Sequence, residues 1–569
     1  MKKTLVTGAI GLSLLSFTAI IPLQFSTQVA YAASAPIDLI QGHDWSHFSG
    51  ATVSGNTVVI QGIGRAIVPE SDNDDQTTIK NPPINLRGTY LKVSGDFSVT
   101  TAIQVAANTS ASFMMYGTLP LIQDEWRQEG KTLTLTINKG KLYVEVLDGN
   151  SNKPTKGTFG SNLSRLVTLK TVSANNKFTF YANGNKIGEL SNPGVFIDGH
   201  VFFGADASVG GSYTINSLSA QAESASASVN AVDNQILAIP QTNHSLRSLA
   251  EKHVNHLRIG TAVASIPLLT DPSYTQILGR EFNTVTPEND MKFQFIHPQP
   301  NQYAFAEADA LVEFAQKNNM AVHGHELAWN EALPRWLTET KYTSAQIKDI
   351  LIDHINTVVG HYKGKIKDWD VINEPFNDSS GSFRTTSPWY KALGTDYIEL
   401  SLQTAHAADP NARLYINEYG VEEKNSKSDA LYKLAKGLLA KGVPLHGIGF
   451  QLHEDIGKGY TPVTDAVFKS NLKRFTDLGL EVRISEMDVN IQDKVTNALS
   501  TQQANYYASM LQVAADNPTF TTFSVWGFTD RYSSLSPWEY FKYADGLIYD
   551  TKFKPKKAYQ SLLDVLANK

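Results

Sequence analysis

Two glutamates, Glu374 and Glu486, have the type and placement to do acid–base chemistry. Each stands at the end of a strand-like run, Asp370-Val371-Ile372-Asn373 before the first and Glu481-Val482-Arg483-Ile484-Ser485 before the second. One strand-end glutamate ordinarily caps a loop or joins a surface ion pair. Two facing the same mouth can divide the labour, because different surroundings push their proton affinities apart. Cleavage of a glycosidic bond asks for such a pair. One carboxyl stays protonated and donates to the leaving oxygen, while the other stays ionised beside the anomeric carbon. Further polar residues follow other apolar runs: Glu288-Asn289-Asp290, His323-Gly324-His325 with Trp329, Asn417-Glu418, Gln451 with His453, Asp488, and Trp526. His323 and His325 alternate as a metal pair would. Yet His325 is followed by Glu326-Leu327-Ala328-Trp329, so there is no H-E-x-x-H pattern and no evident third ligand. No metal and no cofactor are expected. Without a G-x-S-x-G elbow, a serine hydrolase is not expected either.

The elements that must hold these residues alternate. From about residue 235 strand-like runs are separated by amphipathic segments of helical length. Ser344 to Ile355 repeats apolar residues at helical spacing, and Ile366 to Ile372 reads as a strand. Helices over 396–408, 429–440, 465–478 and 502–515 are followed by strands over 412–416, 446–450, 481–484 and 520–525. Such strict alternation over residues 235–569 predicts an α/β domain, a (β/α)8 barrel whose chemistry sits at the C-terminal ends of its strands. An open doubly wound sheet is the runner-up, but no glycine-rich phosphate turn follows any strand.

The N-terminal third follows a different period. Lys131-Thr132-Leu133-Thr134-Leu135-Thr136-Ile137, the turn Asn138-Lys139-Gly140, and Leu142-Tyr143-Val144-Glu145-Val146 form a hairpin signature. Short strands and Gly/Asn turns continue without a long helical pattern. Residues 33–222 therefore read as an all-β jelly-roll sandwich. Residues 223–234 are small and polar and read as a linker. Lys2-Lys3, an apolar run and Ala30-Tyr31-Ala32 predict an export signal over residues 1–32, hence a secreted, extracellular protein with no membrane attachment after cleavage.

Composition narrows the classes. The chain has 569 residues, 42% of them hydrophobic and 18% charged, with a formal net charge of −6 and no cysteine. Disulfides, thiolate metal sites and cysteine nucleophiles are excluded. There is no basic excess for nucleic acid. A monomer is expected.

At the residues above, the chain closely resembles glycoside hydrolase family 10, the retaining xylanases, over about residues 240–565. The matching segments run from Phe282 to Lys292, through Gly324-His325 with Trp329, Trp369 to Glu374, Leu414 to Tyr419, Gly449-Phe450-Gln451 with His453, Ile484 to Asp488, and Trp526 to Asp530. The resemblance implies that Glu374 is the general acid/base and Glu486 the nucleophile. It implies that Asn373 binds the sugar 2-hydroxyl, and that His453, held by Asp488, orients Glu486. Glu288, Asn289, Lys292, His325 and Gln451 would contact substrate, and Trp329 and Trp526 would offer faces to pyranose rings. The sandwich resembles the concanavalin/laminin-G-like modules that accompany such enzymes, so it is expected to bind carbohydrate. A spacer is the alternative.

Three departures bear on substrate. The family usually has Trp-His-x-Gln where this chain has Trp329-Asn330-Glu331-Ala332, and Ser-Trp where it has Ser533-Ser534. Bulk is lost around the glycone, with Trp538 or Tyr540 as substitutes for the missing indole. The expectation is an endo-1,4-β-xylanase. Its alternatives are a family member acting on a branched β-glycoside such as a saponin, and a carbohydrate-binding surface protein without turnover.

Overall fold

The computed structural model describes residues 35–568 apart from 44–49, 63–65, 68–78, 81–87, 119–120, 124–125, 129, 150–153, 209, 254, 256, 379 and 536–544. The expected export signal, Trp538 and Tyr540 lie outside the described residues.

Eight parallel strands close into a barrel: β1 (Arg258–Val263), β2 (Thr284–Pro287), β3 (Ala321–Ala328), β4 (Asp368–Asn373), β5 (Arg413–Glu418), β6 (Gly447–Phe450), β7 (Glu481–Ile491) and β8 (Phe520–Val525). Each pairs with its neighbour, and β8 returns to β1. Ile372, Leu414, Ile416, Ile448, Phe450 and Ile484 are fully buried, as expected of parallel strands covered by helices outside and by side chains within. The helix Ser344–His361 illustrates the outer layer. A Thr343–Gln346 capping box starts it, and Ile347, Leu351, Ile355, Val358 and Val359 bury its inner face. Gly324 lets β3 lie against β4, since a Cβ there would meet the Trp369 ring at 2.2 Å.

One strand is longer than its sequence pattern implied. β7 continues past Glu486 to Ile491 because a short strand, His453–Ile456, pairs with Asp488–Ile491. That register sets His453 directly opposite Asp488.

Among the described residues, the sandwich has two antiparallel sheets of eight and seven strands. It extends beyond residue 222. Ser228–Asp233, expected as linker, pairs along the whole of Thr89–Ser94. Its Val229 is buried, and its small side chains had disguised a polar–apolar alternation. The connection that remains lies on the barrel: Asn234 Nδ2 donates to the Leu269 carbonyl at 2.8 Å, and Ile239 N to Asn318 Oδ1 at 2.7 Å. Met114, Tyr116 and Phe202 of the sandwich join the barrel's buried apolar cluster. The module is docked, not tethered. Among the described residues, no helix is long and apolar enough to cross a membrane.

Beside the loop after β2, Phe293 stacks on His354 with ring centroids 3.8 Å apart, and the Nδ1 atoms of His354 and His297 lie 3.4 Å apart. Burial pushes His297 down to about 4, with Asp353 opposing the shift weakly. A histidine held neutral by burial stabilises the fold above its unfolded value near 6.5. That contribution is lost as pH falls through 4, a difference of at most about 3 kcal/mol. The melting temperature of His297→Gln, which cannot be protonated there, should therefore rise relative to the wild type as pH falls from 6.5 to 4, with a constant difference between the two above 6.5.

Candidate active site

Glu374 follows β4 directly and takes a left-handed backbone, φ 51°, with its N–H donating to the Asn417 carbonyl at 3.0 Å. Such a φ is unusual for a residue with a Cβ and persists only where its surroundings enforce it. Its carboxyl accepts from Gln451 Nε2 at 2.9 Å and from Trp329 Nε1 at 2.8 Å. Burial raises its proton affinity most, and the charge of Glu486 adds to the rise. The Gln451 and Trp329 bonds offset only part of it.

Glu486, on β7, has the opposite bias. Burial alone would raise it, but hydrogen bonding from His453 and the charges of His325 and His453 hold it below the usual carboxylate range. One oxygen accepts from Asn417 Nδ2 at 2.6 Å; the other lies 3.3 Å from His453 Nε2. The opposite nitrogen of His453 lies 2.8 Å from Asp488 Oδ2. Between two carboxylates the imidazole is raised well above its ordinary value, even though burial opposes its charge. Both ring nitrogens then carry protons, and both face acceptors.

Asn417 couples the two halves. Its Nδ2 donates to Asn373 Oδ1 at 2.9 Å as well as to Glu486, and its Oδ1 accepts from Ser485 at 2.6 Å. With its oxygen taken, Asn373 keeps its own N–H donors for a sugar hydroxyl. Beneath this layer Asp370 accepts from His325 Nδ1 at 2.9 Å and Arg483 Nη2 at 2.9 Å, and lies 3.0 Å from His323 Nε2. Arg483 also contacts His323 Nδ1. The charge of Arg483 and the hydrogen bonds of the two histidines hold Asp370 well below the usual carboxylate range, against the effect of its full burial.

The structure gathers the sequence-predicted residues at one mouth. Glu288, Asn289 and Lys292 are buried on the loop after β2. Lys292 Nζ stands 5.2 Å from the Trp329 ring centroid and 6.0 Å from that of Trp526. Trp526 is 5% exposed and packs edge-on against His325 at 5.3 Å. Gln451 and Trp329, expected as sugar contacts, each commit an N–H to Glu374. Ala332 has φ 49°, and its carbonyl accepts from Gln294 N at 2.8 Å, so a glutamine there would be strained. Ser533 is buried and accepts from Leu535 N at 3.1 Å. Asp370, Arg483, Asn417 and Ser485 were not assigned roles from sequence. The signal for Asn417 was present: Asn417-Glu418 repeats the Asn373-Glu374 pair one strand later.

Residues 245–565 match the model for glycosyl hydrolase family 10. The chain belongs to that family. It is a glycoside hydrolase with a family 10 barrel. It is 41% identical over 326 residues to endo-1,4-beta-xylanase B of Thermotoga neapolitana, a match spanning 57% of this chain and 92% of that one. A beta-1,4-xylanase of Dictyoglomus thermophilum is 36% identical, over 56% of this chain and 90% of its own. Among solved structures, xylanase 10B of Thermotoga petrophila RKU-1 in complex with xylobiose is 42% identical with a TM-score of 0.55, covering 57% of this chain and 98% of that one.

Glu326 adds a titratable group behind this family 10 site. It is fully buried on β3, and neither carboxyl oxygen has a hydrogen-bond partner among the described residues. Burial pushes it up to about 8, against opposition from His325 and Lys292. A carboxyl raised on folding stabilises the fold fully below its unfolded value, about 4.5. That contribution is lost as pH rises through 8, on the order of 5 kcal/mol. Glu326→Gln, which cannot ionise, should melt higher than the wild type at pH 8 and show little of that gain at pH 4.5. Parallel melting curves across that range would contradict the assignment.

Proposed function

We propose that this protein is a secreted endo-1,4-β-xylanase that cleaves xylan with retention of anomeric configuration. The observation carrying this reading is the opposite protonation bias of Glu374 and Glu486 at one barrel mouth. The names of its relatives support xylan as the substrate. A polymeric substrate must be met outside the cell, which agrees with the export signal expected over residues 1–32.

In the first step Glu486 attacks the anomeric carbon. The bond to the leaving oxygen breaks as Glu374 gives that oxygen its proton. His453 holds the attacking carboxylate in place, and Asn373 meets the 2-hydroxyl. Glu374, now a carboxylate, then takes a proton from water as the water oxygen displaces Glu486 from the sugar, which leaves Glu374 protonated again and Glu486 ionised. Two inversions give net retention.

Glu486→Gln should abolish turnover on every substrate. Glu374→Ala should lose about 10²–10⁴-fold on xylan, the usual contribution of a general acid, and much less on aryl xylosides with good leaving groups. Added azide should restore that variant and yield a β-glycosyl azide. An α-configured first product, read by proton NMR, would reject the retaining mechanism.

A further inference from the structure

The loops 94–97, 173–176 and 192–199 enclose a cavity of about 510 Å³ at one end of the sandwich. Asp96, Asn175, Asn176 and Asn192 contribute its polar side chains, with Phe196 and Ile197 as apolar neighbours. Asn192 is used by the fold. Its Oδ1 accepts from Gly194 N at 3.0 Å and Val195 N at 2.9 Å, and its Nδ2 donates to Ser173 Oγ at 3.1 Å. Asn175 and Asn176 are exposed on a left-handed turn, φ 52° and 56°. Their carboxamides, and the Asp96 carboxylate, are free for a ligand among the described residues. Ile197 is 73% exposed, unusual for an isoleucine.

This lining selects a ligand class. No lining side chain is cationic, so phosphate, sulfate and nucleic acid find no counter-charge. Carboxamides and a carboxylate offer donors and acceptors to hydroxyl groups, and an exposed aliphatic side chain suits the C–H face of a pyranose. The cavity adjoins the C-terminal end of the strand Thr89–Ser94. The chain leaves for the barrel at that strand's other end, where Asn234 N donates to the Gly88 carbonyl at 3.3 Å. Strand rise sets these ends about 17 Å apart.

We propose that this cavity binds a chain of neutral β-linked polysaccharide, separately from the barrel cleft. The choice of xylan as its first probe rests on the activity proposed above. A second binding point on the same polymer would raise the local concentration of the barrel at an insoluble surface.

The test uses the full chain carrying Glu486→Gln, so that the probe is not consumed. Hydrogen exchange read by mass spectrometry is followed with xylohexaose and, separately, cellohexaose. At least one probe should slow exchange in 173–176 and 192–199. Replacing Asn175 and Asn176 together by glycine keeps the left-handed turn and removes both carboxamides. It should weaken adsorption to the corresponding insoluble polymer about tenfold and leave protection of the barrel strands unchanged. Protection confined to the barrel with both probes, or adsorption indifferent to the double change, would overturn the proposal. Absence of xylan turnover by the wild type would instead reject the barrel reading, and the cellohexaose arm would still decide the cavity.

Discussion

Two carboxyl groups at one barrel mouth repel each other when both are ionised, and this enzyme needs one ionised and one protonated. The decisive constraint is how that asymmetry is imposed. Glu374 accepts two hydrogen bonds from neutral groups, Gln451 and Trp329, which orient it without cancelling its burial. Glu486 faces the charged side of the site, where His453 and His325 favour its anion. Asn417, bound to Glu486 and Asn373 at once, keeps the halves in register. Asn373 and Glu486 thereby share one anchor.

The charged layer below makes this asymmetry durable. Asp370 is fully buried, and its desolvation alone would be costly, but Arg483 and two histidines surround it. Removing one member of such a cluster leaves an uncompensated buried charge, which typically costs 3–5 kcal/mol. His325 belongs to both levels: it binds Asp370 and its charge favours the Glu486 anion. Support for the Glu486 anion therefore originates inside the barrel.

Much of this was legible in the sequence because barrel strands end where chemistry begins. Apolar runs followed by Asn-Glu, His-Gly-His or Glu-x-Asp mark the mouth. That Gln451 and Trp329 each donate to Glu374 was not legible, because sequence places a residue at the mouth without saying where its N–H points. Asp370 and Arg483 passed unremarked because each sits inside a strand, and their contact with each other joins strands 113 residues apart. The strand Ser228–Asp233 read as a linker because its alternation is carried by alanine, serine and a few valines. Its identity depends on a partner, Thr89–Ser94, more than a hundred residues earlier.

The opposite protonation of the two carboxyls is most directly measured by labelling glutamate side-chain carboxyls with carbon-13. The two signals are assigned by Glu374→Gln and Glu486→Gln and followed from about pH 3 to about pH 9, a range bracketing ordinary carboxylate titration. The account predicts that Glu486 titrates below the ordinary glutamate value and Glu374 above it. It also predicts that Glu374 shifts downward when Glu486 is neutralised, because the two carboxyls interact. Two overlapping titrations near the ordinary value, or the reverse order, would contradict it.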